Sequence, residues 1–155
     1  MKVTVISIFK ADIETIWKHL QKPQLLDFIA KPLIKFVYPE NNLPEKTWKE
    51  GIYSVQMKLF GLIPLGKQNI RIEIPETNTK NVKKLRDNGD GEMIKKWDHW
   101  IEIEAINKNQ TKYTDTITVE AGILTPFVWS FAFIFYNWRQ FRWKKLIRND
   151  FKNIN

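Results

Sequence analysis

Two ionisable side chains, His99 and Asp115, stand on strand faces that are otherwise apolar, and no other pair in this sequence is better suited to chemistry. Around His99, the residues Trp97, Ile101 and Ile103 share one parity. Lys96, Asp98, Glu102 and Glu104 take the other, with Trp100 the exception. Side chains alternate across a strand, so His99 belongs to the apolar, inward side. On the next strand Tyr113, Asp115, Ile117 and Val119 oppose Lys112, Thr114, Thr116, Thr118 and Glu120, which turns Asp115 inward as well. A connecting loop of three or five residues brings both inward sets onto one face of the hairpin. The pair then stands one or two positions apart, at the ~5 Å of directly opposed side chains or the ~7–8 Å of diagonal ones. An imidazole and a carboxylate so placed can anchor a polar group of a ligand or act as a general base, since burial perturbs both pKa values. The plainer alternative is a satisfied core pair, with Asp115 bonded to nearby backbone. Ligand anchoring is preferred here to catalysis.

Other recognisable chemistry is missing. His19 and His99 fall in different elements, no HxH or HExxH spacing occurs, and the chain has no cysteine, so no metal site, disulfide or cofactor is expected. There is no GxGxxG or Walker-type phosphate loop, and Gly89-Asp90-Gly91 reads as a hairpin turn. No serine sits in a GxSxG elbow, which sets aside a serine hydrolase.

The elements that must position His99 and Asp115 follow from periodicity. Lys2 to Phe9 is a β-rich run. Asp12 caps a short helix with the stripe Ile13, Ile16, Trp17 and Leu20, and Pro23 opens a second short helix through Phe28. Pro32 to Tyr38 reads as a strand and Pro39 to Gly51 as a polar loop. Tyr53, Val55, Met57 and Leu59 alternate with polar residues, as do Gln68, Ile70, Ile72 and Ile74, across the apolar turn Gly61 to Gly66. Val82 to Asp87 is a weaker strand ending in the turn Asn88-Gly89-Asp90-Gly91. Lys95 to Ile106 and Thr111 to Ala121 form the hairpin that carries the pair.

A long helix closes the chain from Thr125, read as its N-cap, to about Asn149. Phe127, Phe131, Ile134, Trp138 and Phe141 recur on one face, and Trp129, Phe133, Tyr136, Trp143 and Ile147 on another. Two apolar faces need two apolar neighbours. The expected architecture is α+β: a curved antiparallel sheet wrapped around this helix, with two short helices after the first strand and an apolar cavity between sheet and helix. Phe131, Phe135 and Trp138, with Tyr53 and Met57 on the sheet, are expected at a pocket midway along the helix, the remaining aromatics at its packed ends. The tip Leu62-Ile63-Pro64-Leu65 reads as a pocket gate or membrane-dipping loop, or else as a packing or dimer contact.

Composition limits the function classes. At 155 residues, 43% of them hydrophobic and 27% charged, the chain is expected to form one globular domain over residues 1–155. Its most apolar run, Pro126 to Trp138, falls short of the ~20 residues that span a bilayer. Absence of a signal-peptide pattern and of cysteine predicts a cytoplasmic protein. The net charge of +8 gathers partly at the C-terminus, where Arg139, Arg142, Lys144, Lys145, Arg148 and Lys152 face only Asp150. This basic end reads first as dipole compensation and a solvated face, and second as attraction to an anionic surface. Nucleic-acid binding is not expected, because the aromatics are not interleaved with an exposed basic stripe.

Several stretches carry a family resemblance. Leu85-Arg86-Asp87-Asn88-Gly89-Asp90-Gly91, then Trp97-Asp98-His99, then Tyr113-Thr114-Asp115-Thr116-Ile117, and finally Tyr136, Arg139-Gln140 and Trp143 resemble a pattern of the SRPBCC superfamily, also called START-like. Phe60-Gly61 through Pro64-Leu65-Gly66 resembles one of its recurring hairpins, and the element order is similar over essentially the whole chain. The resemblance implies the helix-grip fold and a cavity for a hydrophobic small molecule or lipid, close to an uncharacterised bacterial ligand-binding, polyketide cyclase-like branch. The expected lining is His99, Asp115, Trp97, Ile101, Tyr113, Ile117, Tyr53, Met57, Ile70, Ile72, Phe131, Phe135 and Trp138. The alternatives are an enzyme of the cyclase or dehydratase type using His99 and Asp115 with Tyr113, or a peripheral module in transient contact with a membrane surface or a partner. Oligomeric state is left open.

Overall fold

Alternating inward and outward residues build a seven-stranded sheet, the largest single element of the fold. The computed structural model describes residues 1–40 and 43–154, so Asn41 and Asn42 of the expected loop lie outside the described residues. The elements run β1 (Lys2–Phe9), α1 (Ile13–Leu20), α2 (Pro23–Ala30), β2 (Ile34–Val37), β3 (Gly51–Leu59), β4 (Ile63–Glu73), β5 (Val82–Gly91), β6 (Lys96–Asn107), β7 (Gln110–Glu120), a 3-10 turn over Gly122–Leu124, and α3 (Thr125–Arg148). The strands form one curled antiparallel sheet in the order β1-β7-β6-β5-β4-β3-β2. Helix α3 lies in its concave face against β1 and β7, with α2 on its other side. This is the helix-grip α+β architecture.

Two local devices set the geometry of the site. The first is at the β6–β7 turn. Asn107 pairs with Gln110, a register that would set odd residues of one strand opposite even residues of the other. A bulge between Ala105 and Asn107 removes that offset, so His99 pairs with Ile117 and Ile101 with Asp115. Directly opposed residues in an antiparallel pair point to the same side. The bulge therefore places both polar side chains on the concave face.

The second device corrects the expected turn at Asn88–Gly91, which is part of β5. Gly89 and Gly91 lie tight against β4: a Cβ on Gly89 would come 2.6 Å from the Asn69 carbonyl oxygen, and one on Gly91 would collide with the Gln68 amide oxygen. These glycines serve close approach between strands. The chain reverses after Gly91 instead.

Helix α3 departs from expectation in two ways. Thr125 is its first residue, and the Thr125 Oγ1 accepts from the Ala121 backbone N–H at 2.9 Å and donates to the Gly122 carbonyl at 2.7 Å. Its buried stripe is Ala132, Phe135, Tyr136, Arg139, Gln140, Trp143 and Leu146. Phe127, Phe133, Ile134 and Phe141 are exposed, so the two aromatic faces read from spacing are not the buried ones. Arginine and glutamine occupy part of the inward stripe, so apolar spacing alone points to other faces. Tertiary contacts supply what the periodicity hid: Trp129 Nε1 donates to the Lys2 carbonyl and Trp138 Nε1 to the Lys31 carbonyl, each at 2.8 Å.

The core falls into two connected regions. One gathers Phe9, Tyr113 and Trp143 with α1 and α2, and the other gathers Val3, Ile117, Val119 and Tyr136 near the first half of α3. Between them the interior is hollow.

Candidate functional site

The hollow is a cavity of about 340 Å³ between the concave sheet, α2 and the first half of α3. It lies at the small end of the ~300–1,000 Å³ typical of small-molecule sites. Leu25, Leu26 and Ile29 from α2, Phe36 from β2, Trp48, and Met57, Ile70, Ile72, Leu85 and Ile101 from the sheet make its apolar body. Leu124, Phe127 and Met93 also line it and are exposed to solvent, which identifies the mouth.

One end is polar. Asp87 on β5 faces His99 on β6 directly across the ladder, and both reach the cavity wall with Gln68, Trp97, Tyr136 and Arg139. His99 Nε2 and Asp115 Oδ1 are 2.7 Å apart, with both side chains buried. Burial pushes the His99 pKa below its ordinary value, and the nearby Arg139 adds to this against the opposing pull of Asp115. A neutral imidazole then donates from Nε2 to Asp115, which leaves Nδ1 as an acceptor. Gln140 Nε2 donates to the other Asp115 oxygen at 2.9 Å.

The His99 ring lies against Tyr136 at 4.5 Å between centroids, and Trp97 Nε1 donates to the Tyr136 hydroxyl at 3.1 Å. Burial holds the Tyr136 phenol well above its ordinary range, so it stays protonated. Asp87 Oδ1 accepts from the Arg71 backbone N–H at 2.8 Å. Burial raises its carboxyl to about 7, although that hydrogen bond and Arg139 pull the other way. The guanidinium of Arg139 lies over the Tyr136 ring at 4.7 Å and the Phe135 ring at 5.7 Å. Among the described residues it takes part in no ion pair, and its Nε has no hydrogen-bond partner.

The expected lining residues divide into two groups. His99, Trp97, Ile101, Met57, Ile70, Ile72, Phe131 and Phe135 reach the cavity wall. Asp115 stands behind His99 and meets the cavity through it. Tyr113 packs between Phe9 and Trp143, and Ile117 is wholly buried. Tyr53 does not line the cavity: its hydroxyl donates to the Lys49 carbonyl and its ring edges onto Trp48. Trp138 is tied to the α2–β2 connection by its bond to Lys31. The tip residues Leu62 and Ile63 are exposed, and Leu65 reaches the cavity.

Other wall residues were not anticipated. Asp87 and Arg139 stand in the stretches that carry the family resemblance, and Arg139 also in the basic end, but neither is among the expected lining residues; Trp48 falls in the expected polar loop. One signal bears on Arg139: Ala132, Phe135, Tyr136, Arg139, Trp143 and Leu146 recur at helical spacing once an arginine is admitted to the stripe.

Among the described residues, no group of three histidine or acidic side chains converges as metal ligands, and no helix is long and apolar enough to cross a membrane.

Comparison with known proteins agrees with this architecture. A family model described as a domain of unknown function (DUF8410) matches residues 7–149. No curated protein matches the chain significantly. Among solved structures, a conserved protein from Geobacillus kaustophilus is similar at a TM-score of 0.61 and 18% identity, covering 96% of each chain. A protein from Arthrobacter aurescens is similar at 0.65 and 12% identity, over 96% of this chain and 86% of that one. A START superfamily protein from Mycobacterium smegmatis is similar at 0.58 and 14% identity, over 96% and 97%. At these identities the likeness shows a shared START-like fold.

Proposed function

We propose that this chain, which belongs to the family described as a domain of unknown function (DUF8410), works as one domain that binds a hydrophobic small molecule or lipid between its sheet and α3. The observation that carries this reading is the cavity itself. Proteins pack their interiors densely, and a hollow of about 340 Å³ forfeits dispersion contacts along its whole wall. An apolar guest restores those contacts and removes its own surface from water at about 25 cal/mol per Å². The polar end supplies orientation.

Nile red fluorescence tests the proposal, with native mass spectrometry as an independent readout. Saturable dye uptake is expected, together with displacement by apolar molecules and loss of uptake in Met57→Trp, which fills the wall. Absence of saturable uptake in the native chain, with no apolar adduct in the mass spectrum, overturns it.

A second reading has one specific observation in its favour. His99 presents its ring to the cavity while Asp115 holds it from behind, the arrangement a general base requires. A dehydratase would use His99 Nδ1 to take the proton α to the thioester carbonyl and return it to the β-hydroxyl, which leaves as water while the double bond forms, with Asp115 fixing the tautomer. Loss of water from a β-hydroxyacyl thioester, followed by mass, is the corresponding assay. Equal rates in the native chain and His99→Gln remove this reading while leaving the binding proposal intact.

A further inference from the structure

We propose that the occupant of the cavity is an amphipathic carboxylic acid whose carboxylate pairs with the guanidinium of Arg139. The inference rests on the binding role above and assigns the chemical class of the ligand.

Arg139 is 5% exposed and sits in the inward stripe of α3 at the cavity wall. An arginine cannot shed its proton, so its charge persists when it is buried. Burying a charge is costly unless it is paired, and among the described residues the guanidinium of Arg139 rests on two aromatic faces and forms no ion pair. The acids whose fields act on it are bonded elsewhere. Asp115 gives one oxygen to His99 and the other to Gln140. Asp87 accepts from the Arg71 backbone, and its carboxyl titrates near neutrality, so its charge does not fully cancel the cation. The guanidinium thus retains donors that no described side chain uses.

The rest of the wall determines the other half of the ligand. Away from Asp87, His99, Gln68 and Arg139, the lining is aliphatic and aromatic, and the mouth is rimmed by Leu124, Phe127 and Met93. A guest with one anionic head and an apolar tail satisfies both ends. A carboxylate suits the planar guanidinium fork in a way that a lone hydroxyl does not, since two parallel N–H donors meet two oxygens.

The test compares head groups on one tail. Decanoate, 1-decanol and decylamine compete against Nile red, a neutral probe, at neutral pH and fixed salt, all below their aggregation limits. For the native chain, decanoate is expected to bind about ten-fold more tightly than decanol, with decylamine the weakest. In Arg139→Met that preference should fall to within about two-fold, and Arg139→Lys should keep part of it. Equal affinities of decanoate and decanol for the native chain overturn the assignment without touching the binding role, and this comparison needs no variant to fold. A preference that survives in Arg139→Met also overturns it. If the native chain takes up neither Nile red nor any of the three competitors, as judged also by native mass spectrometry, the binding role fails as well.

Discussion

Gln140 Nε2 donates to Asp115 Oδ2 at 2.9 Å, which fastens helix α3 to the carboxylate that holds His99. The same amide reaches the Val5 carbonyl at 2.9 Å, so one side chain ties the helix to both β1 and β7. A polar clamp of this kind sets the rotation of a helix whose aromatic residues would otherwise accept several. That rotation also carries Arg139 to the cavity wall.

Replacement of Asp115 by alanine should therefore be costly. It leaves His99 Nε2 buried without an acceptor and Gln140 Nε2 with the Val5 carbonyl alone, and hydrogen bonds to charged groups contribute about 1.5–3 kcal/mol each. A loss of roughly 3 kcal/mol in chemical denaturation is expected for Asp115→Ala. Combined with Gln140→Ala, the loss should be smaller than the sum of the single changes by about 1–2 kcal/mol. Strict additivity would mean the clamp is not energetically coupled.

The arrangement around Asp115 indicates what a sequence can disclose about such a site. Alternation along Trp97–Ile103 and Tyr113–Val119 was enough to turn His99 and Asp115 inward, because period-two patterning follows from strand geometry alone. Their contact depends on the bulge near Ile106, and no residue type announces that bulge. The order of elements was similarly legible, since each strand is amphipathic and the breaks carry proline, glycine or asparagine. Helix α3 was read less well. Its aromatics lie on all sides, so hydrophobicity could not choose a face, and the choice was made by hydrogen bonds from Gln140, Trp129 and Trp138 to distant backbone. Arg139 was hidden for a related reason, because an arginine close to other basic residues looks solvated until the partner sheet is in place.

If Arg139 is kept for a ligand rather than for folding, removing it should not weaken the empty protein. An unpaired buried charge is costly, and even whole buried ion pairs are often replaced by apolar residues without loss or with a gain of about 1–4 kcal/mol. Arg139→Met is expected to unfold at the same denaturant concentration as the native chain or a higher one. A loss of more than roughly 2 kcal/mol would instead assign Arg139 to neutralising Asp115 and Asp87 within the fold.

Asp87 gives a pH signature of known sign. Burial raises its folded pKa to about 7 against an ordinary value of 3.8, so over that interval the folded chain holds a proton that the unfolded chain has released. Its contribution to stability is full below pH ~4 and declines as pH rises to about 7, by at most ~1.4 kcal/mol per pH unit. His19, lowered to about 4 by burial, and His99, also lowered by burial, act in the opposite sense. The comparison with Asp87→Asn removes those common terms. The stability of the Asn variant relative to the native chain should increase steadily from pH 4 to 7 and then level off. Parallel curves across that range would mean Asp87 titrates normally.

Gly89 should not tolerate a side chain. A Cβ there would lie 2.6 Å from the Asn69 carbonyl oxygen and 3.1 Å from Asp87 Oδ1, and the first of these neighbours is backbone in the adjoining strand. Relief requires β4 and β5 to separate beside the cavity. Gly89→Ala is expected to lose about 1–3 kcal/mol, the usual cost of overpacking. It should also weaken Nile red uptake, because Asp87 and Gln68 move with those strands. Unchanged stability would show that the strands part without strain.

Exposed apolar residues at the β3–β4 tip and beside the mouth predict how a guest arrives. Leu62 is 82% exposed at the β3–β4 tip, and Ile123 is 92% exposed beside the mouth residue Leu124. Neither lines the cavity or contributes to the core. Removing their hydrophobicity should change stability by no more than about 0.5 kcal/mol. If these side chains dip into a bilayer when the guest is an acyl chain, Leu62→Asp combined with Ile123→Asp should slow uptake of a fluorescent fatty acid from vesicles. Its binding from dilute solution should stay as in the native chain, since neither residue touches the wall. The basic character of the protein adds a salt dependence: uptake from anionic vesicles should fall as ionic strength rises and the screening length shrinks to about 8 Å near 0.15 M. Vesicle uptake that is equally fast in the double variant would leave the tip as a solvent-exposed turn and direct entry through water.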